Sequence, residues 1–248
     1  SGNILNVDAV NRAIEMLEHK PVDHPAEVMS LNIVSNRGRT IRPKTANQKR
    51  YVDAIEDHTI TFGIGPAGTG KSLLACNSAA LALKQGHVNR IILTRPAVSV
   101  DEQHGFLPGT LEAKMDPWVR PMFDAFAQHF TAKSLKGMLA DGIIEICPLA
   151  YMRGRTFDNS WIIADEMQNS TPNQMRMMLT RIGENSKMVV TGDLEQHETG
   201  FEDNGLADIT TRLRDQVFHE HMQLVRFTKD DVERSQVVKD VLRLYGPF

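Results

Sequence analysis

Gly65 to Ser72 reads GPAGTGKS and fits G-x-x-x-x-G-K-[ST], a spacing whose residue types suit one task, holding phosphate. Glycines at 65, 68 and 70 let the backbone curl until successive N–H groups face inward on phosphate oxygens. The following segment, Ser72–Gln85, has helical spacing, so its N-terminal dipole adds to the same anion site. Lys71 is placed to bring its ammonium to the β- and γ-phosphates, and the Ser72 hydroxyl to ligate Mg²⁺. The cradle is read as Gly65, Pro66, Ala67, Gly68, Thr69, Gly70, Lys71, Ser72 and Leu73.

A second group follows the apolar run Trp161–Ala164, which ends in Asp165 and Glu166. Carboxylates delivered by an apolar run are costly unless paired or bound to a cation. Downstream of a phosphate cradle, Asp165 is expected to complete the Mg²⁺ site and Glu166 to polarise an attacking water. Transfer to a small acceptor needs no second acid, so the pair favours hydrolysis. The third group is TGDLEQ, residues 191–196, where another apolar strand ends in polar residues. Gln196 is the expected sensor of the γ-phosphate, coupling its presence to a neighbouring surface.

These groups need a frame. Apolar or β-branched runs at Thr59–Ile64, Arg90–Ala97, Ile143–Leu149, Trp161–Ala164, Lys187–Thr191 and His221–Phe227 read as strands. Helical spacing marks Ser72–Gln85, Asp116–Phe130, Pro172–Ile182, Leu206–Val217 and Lys229–Tyr245. The alternation predicts an α/β fold with a doubly wound, mostly parallel sheet and helices on both faces. Residues 1–43, with a helix expected over Val7–His19 and a short strand within Ser30–Ser35, read as an extension, and 44–248 as the domain.

Composition narrows the class. Of 248 residues 41% are hydrophobic and 24% charged, enough apolar content for a core without disulfides. A net charge of −3 gives no global basic field, although Arg37 to Arg50 carries six cations and no acid. The two cysteines lie in apolar runs, as buried thiols of a reducing compartment do. No run approaches the roughly 18 residues of a membrane span, so a cytoplasmic protein without membrane contact is expected.

In order, TANQKRYVDAI, GPAGTGKS, LTRPAV, GFLPG, MRGRT, ADEMQN and TGDLEQ resemble the PhoH-like ATPases, which are related to superfamily 1 helicase cores. The resemblance runs from about Arg39 to about Gly200, with a weaker continuation in DVERSQVVKDVLRLY. It implies a RecA-like P-loop core that binds ATP with Mg²⁺ and acts on RNA or single-stranded nucleic acid. It further implies that Gln48 reads adenine, and that Thr94 and Arg95 lie near the nucleic-acid backbone. Arg234 matches the late arginine of the family and becomes the candidate arginine finger. Such an arginine is worth a factor of roughly 10³–10⁵ in hydrolysis.

Those helicases supply the arginine from a second domain, whereas only one P-loop core fits into 248 residues. It is therefore expected from the C-terminal segment in cis or from another copy in trans. A homo-oligomer, a hexameric ring above others, would supply it from a neighbour. Arg153 and Arg155 are the alternative fingers, or contacts to RNA phosphates. Trp118 and Phe106 read as core, interface or base-stacking aromatics. The competing function is an ATP-driven protein-remodelling or regulatory ring indifferent to nucleic acid. A small-molecule kinase with RGRT as its lid would leave Glu166 and Gln196 unexplained.

Overall fold

The computed structural model describes residues 33–34, 40–96, 111–196, 204–215, 220–233 and 237. Six strands form one parallel sheet in the order β5-β4-β6-β7-β3-β8. These are β3 (Ile60–Ile64), β4 (Arg90–Thr94), β5 (Ile144–Ile146), β6 (Ser160–Ala164), β7 (Lys187–Gly192) and β8 (Met222–Arg226). β1 (Ile33–Val34) and β2 (Thr40–Ile41) make a separate antiparallel pair. The strand carrying the phosphate cradle therefore never touches the strand carrying the acid pair, because β7 lies between them. That order, with helices on both faces, is the RecA-like doubly wound core.

The sheet is sealed on both sides by period-two patterning. Ile91, Leu93, Trp161, Ile163 and Val189 face one core, beneath α1 (Ala46–Asp57), α2 (Lys71–Lys84) and α3 (Leu111–Phe126). Ile92, Ile162, Ala164, Met188 and Val190 face the other, beneath α5 (Pro172–Leu179) and α6 (Gly205–Asp215). α4 (Ala132–Ala140) packs its Leu135 into the first core. Buried Ala75, Ala79, Ala80 and Ala82 let α2 lie close to the strands, and Gly70 with φ 82° opens that helix. α5 starts with a reciprocal capping box between Thr171 and Gln174.

Two helices lie outside the sequence expectations, α1 and α4. α1 was legible only as part of the TANQKRYVDAI motif, although its Thr45 side chain caps the Gln48 N–H. α3 starts five residues before the expected Asp116 and carries Pro117 and Pro121 inside its span. The expected strand 143–149 shortens to three residues, and Leu149–Met152 turn instead as a 3₁₀ segment. Of the helix expected over 229–245, Lys229–Asp231 form a 3₁₀ turn. The expected helix 7–19, GFLPG with Phe106, and most of 234–248 lie outside the described residues. Trp118 packs against the first core. Among the described residues no helix is long and apolar enough to cross a membrane.

Candidate nucleotide-binding site

At the C-terminal ends of β3, β6 and β7 lies a cleft of about 260 Å³, the place where open α/β sheets hold ligands. Ala67, Gly68, Gly70, Lys71, Ser72 and Leu73 line one wall, and Asp165, Glu166, Gly192, Asp193 and Gln196 the other. All three chemical groups read from the sequence thus converge.

The loop after β3 is held by its neighbours. Gly65 N–H donates to Gly192 O at 3.1 Å, joining the cradle to β7. Gly65 has φ 150°, and a Cβ there would lie 2.5 Å from the Phe227 carbonyl oxygen, so only glycine fits. Lys71 Nζ donates to Gly65 O (2.6 Å), Pro66 O (2.7 Å) and Thr69 Oγ1 (3.2 Å). Its ammonium is therefore folded onto the loop's own carbonyls, buried beside the cleft. Burial pulls its pKa down, and the carboxylates of Asp193, Glu166 and Asp165 pull it partly back.

Sheet register brings the hydroxyls to Asp165. Gly63 pairs with Thr191 and Val190 with Ala164, so Asp165 emerges beside Thr191. Asp165 Oδ1 accepts from Thr191 Oγ1 and, at 2.9 Å, from Ser72 Oγ. Its own N–H donates to Thr94 O at 3.0 Å. Among the described residues no group of three or more His, Cys, Asp or Glu side chains is arranged to hold a metal ion by itself. A cation here would take one hydroxyl, one carboxylate and otherwise phosphate or water oxygens, a donor set that fits Mg²⁺.

Glu166 adopts the left-handed conformation, φ 54° and ψ 39°, one of three non-glycine residues with positive φ among those described. Asn159 and Asn185, the others, tolerate it; for glutamate it costs about 1–2 kcal/mol. Asp165 is buried at 8% exposure, while Glu166 stays half-buried on the same cleft. Gln168 Nε2 donates to Glu166 Oε2 at 2.5 Å, and Gln168 Oε1 accepts from Asp193 N–H at 3.1 Å. Gln196 is exposed at the cleft rim, its N–H donating to Asp193 O at 3.3 Å.

The other expected residues divide. Gln48 is buried against the cradle, donating from Nε2 to Thr69 O (3.1 Å) and accepting Lys44 N–H on Oε1 (2.7 Å). Its amide is thus engaged by the protein and must turn to meet a base. Thr94 is fully buried and its hydroxyl has no partner, so it presents nothing to a nucleic-acid backbone. Arg155 is committed to both oxygens of Glu145 and lies 4.5 Å over the Phe157 ring. That bond raises the pKa of Arg155 and lowers that of Glu145.

Arg153 is exposed, and Arg95 half-buried with its carbonyl accepting Leu149 N–H. Arg234 lies outside the described residues. Its chain neighbour Glu233 donates its N–H to Gly68 O at 3.2 Å, on the cradle itself.

Three contributors escaped the sequence reading. Gln168 stands in the motif ADEMQN, two residues after Glu166, with no role assigned from sequence. Asp231, buried, accepts from Thr45 Oγ1 (2.6 Å), Asn47 Nδ2 (2.8 Å) and Thr228 N–H (2.8 Å), pinning the segment after β8 to α1. Tyr151 is 61% exposed between the buried Leu149 and Met152, beside Arg153. An aromatic in a stretch free of acids, residues 149–156, was the available signal.

The profile of the family described as PhoH-like protein matches residues 40–246. The chain is similar to the PhoH-like protein of Mycobacterium tuberculosis strain H37Rv, 47% identical over 249 residues, covering all of this chain and 70% of that one. It is 43% identical over 236 residues to the PhoH-like protein of Bacillus subtilis strain 168, covering 94% of this chain and 73% of that one. Among solved structures, the large terminase of a thermophilic bacteriophage matches with TM-score 0.47 and 12% identity, over 78% of this chain and 47% of its own.

Proposed function

Because the chain belongs to the PhoH-like protein family and carries a P-loop nucleotide site, we propose that it is a Mg²⁺-dependent ATPase coupled to RNA or single-stranded nucleic acid. The observation that carries the reading is the convergence of Lys71, Ser72, Asp165 and Glu166 on one cleft. Lys71 leaves its loop carbonyls for the β- and γ-phosphates of ATP. Ser72 and Asp165 would hold Mg²⁺, which would supply positive charge to offset the phosphates. Glu166 orients and deprotonates the attacking water. Gln196 meets the γ-phosphate from the rim.

Residues 44–248 form the ATPase domain in this reading, and 1–43 its extension. Gln48 stands where an amide can reach adenine on turning from Thr69. Arg234 supplies positive charge to the γ-phosphate, following a residue already bonded to the cradle at Gly68. In a hexameric ring, exposed Arg153 is what a neighbour would offer. Nucleic acid fits the surface at Tyr151, Arg153 and Arg95, where an aromatic with nearby cations can stack a base and track phosphate.

The test is steady-state ATP hydrolysis with and without single-stranded RNA, beside Glu166→Gln. RNA-stimulated turnover that the variant loses while still binding ATP supports the reading. Turnover indifferent to RNA moves the protein to the remodelling-ring reading, and no turnover at all removes the ATPase.

A further inference from the structure

Resting on the reading of Glu166 as the water-activating base, we propose that Gln168 is a positioning residue that ties this base to the loop after β7. The pose of Glu166 then follows the state of the segment that carries Gln196. Gln168 joins two loops that the chain separates by 25 residues. Its amide donates to Glu166 Oε2 at 2.5 Å and accepts from Asp193 N–H at 3.1 Å. The polarity is fixed from both ends, since a carboxylate takes only a donor and an N–H only an acceptor. Gln168 is 1% exposed, so water does not compete for either bond.

The packing is specific to this contact. A Cβ at position 192 would lie 2.6 Å from Gln168 Oε1 and 2.6 Å from Leu206 Cδ2. Gly192 is therefore the gap through which the amide reaches Asp193. On the far side Asp193 organises the rim: its Oδ1 accepts Glu195 N–H (3.0 Å) and its carbonyl accepts Gln196 N–H (3.3 Å). A displacement at Gln196 reaches Asp193 through these bonds, then Gln168, then Glu166. Glu166 needs such a tether because its left-handed backbone, φ 54°, is not one a glutamate keeps unaided.

Two substitutions separate positioning from packing. Gln168→Met keeps the volume and removes both bonds. It is expected to lower kcat about 10- to 100-fold, the scale of a misplaced catalytic group, with nucleotide affinity within about threefold of wild type. Gln168→Glu matches the amide only when protonated, its O–H then donating to Glu166 and its carbonyl accepting Asp193 N–H. The carboxylate in contact with position 168 is Glu166, which opposes a second negative charge there. Asp193 meets the side chain through its backbone N–H, which a carboxylate oxygen still satisfies. The kcat of Gln168→Glu, taken as a ratio to wild type at the same pH, is therefore expected to approach one near about pH 6 and to fall away by about pH 9. A Gln168→Met kcat within about threefold of wild type, or a Gln168→Glu deficit independent of pH, overturns the proposal.

The tether also has a readout without turnover. In ¹⁵N-labelled protein, Glu166→Gln should shift the Asp193 amide resonance through Gln168, and in the Gln168→Met background it should not. An Asp193 amide that ignores Glu166→Gln in both backgrounds overturns the link even if hydrolysis proceeds. A wild type that shows the link but never hydrolyses ATP removes the role of Glu166 and leaves the tether standing.

Discussion

Ser72 Oγ donates to Asp165 Oδ1 at 2.9 Å, closing a contact between two motifs 93 residues apart across the intervening strand β7. The same carboxylate oxygen accepts Thr191 Oγ1 from that strand. Hydroxyl and carboxylate thus already point at one space. Asp165→Ala should abolish the gain in nucleotide affinity that Mg²⁺ provides, while leaving Mg²⁺-free binding equal or tighter, because an anion near the phosphates is gone. Calorimetric titration of ATP with and without Mg²⁺ checks it. Equal Mg²⁺-dependent gains in variant and wild type would remove Asp165 from the cation site. Ser72 and Thr191 each lose an acceptor, so the variant should also be less stable by about 1–3 kcal/mol.

Lys71 makes a different demand. Its ammonium is buried on three loop acceptors, and burial depresses its pKa. For a base with a depressed folded pKa, the charged form penalises the fold at every pH below that pKa, and the penalty vanishes above the unfolded value near about 10.4. Lys71→Met should weaken ATP binding about 10- to 100-fold, the worth of charge-assisted hydrogen bonds to phosphate. The nucleotide-free protein should nevertheless melt no lower than wild type at about pH 7. A clear fall in that melting temperature would mean the three hydrogen bonds outweigh desolvation.

The surface pair Tyr151 and Arg153 separates stacking from charge. Tyr151→Ala should weaken single-stranded RNA binding by about 1–3 kcal/mol at any salt, the usual cost of a lost base stack. Arg153→Gln should instead lower the slope of log K against log salt by about one. Fluorescence anisotropy of a labelled oligonucleotide across a salt series distinguishes the two. If both variants bind as wild type does but change the oligomeric state, the patch joins copies of this chain.

Much of the site was legible because its chemistry is local. GPAGTGKS fixes its own loop, and an apolar run ending in Asp165 and Glu166 announces a strand delivering acids to the same edge. What stayed hidden depends on strand order. Thr191 reaches Asp165 only because β7 sits between β3 and β6, and Gln168 reaches Asp193 only because that order places the two loops side by side. Charge alone misled at Arg155, whose bidentate partner Glu145 lies ten residues earlier on an edge strand. At Thr94 a polar residue at a strand end proved fully buried, on a strand flanked by β5 and β6. Helix α4 is nine residues long and buries one side chain, Leu135.

His129 offers a test of the scaffold behind the cleft. Its Nε2 lies 2.6 Å from Asn77 Oδ1 on α2, whose Nδ2 donates to Leu73 O, so Nε2 carries the proton and the other nitrogen, Nδ1, is left buried without a partner. Burial first, and the Lys84 charge second, hold the imidazole pKa below its ordinary value. The unfolded chain then binds a proton that the fold resists, so stability is full above the unfolded pKa near about 6.5 and declines as pH falls toward the folded value. One proton sets the limit at about 1.4 kcal/mol per pH unit. Urea unfolding at about pH 7.5 and about pH 5.5 should show wild type losing more stability on acidification than His129→Gln, which keeps a donor for Asn77 and titrates nothing. Equal losses would mean that His129 is protonated as readily in the fold as outside it.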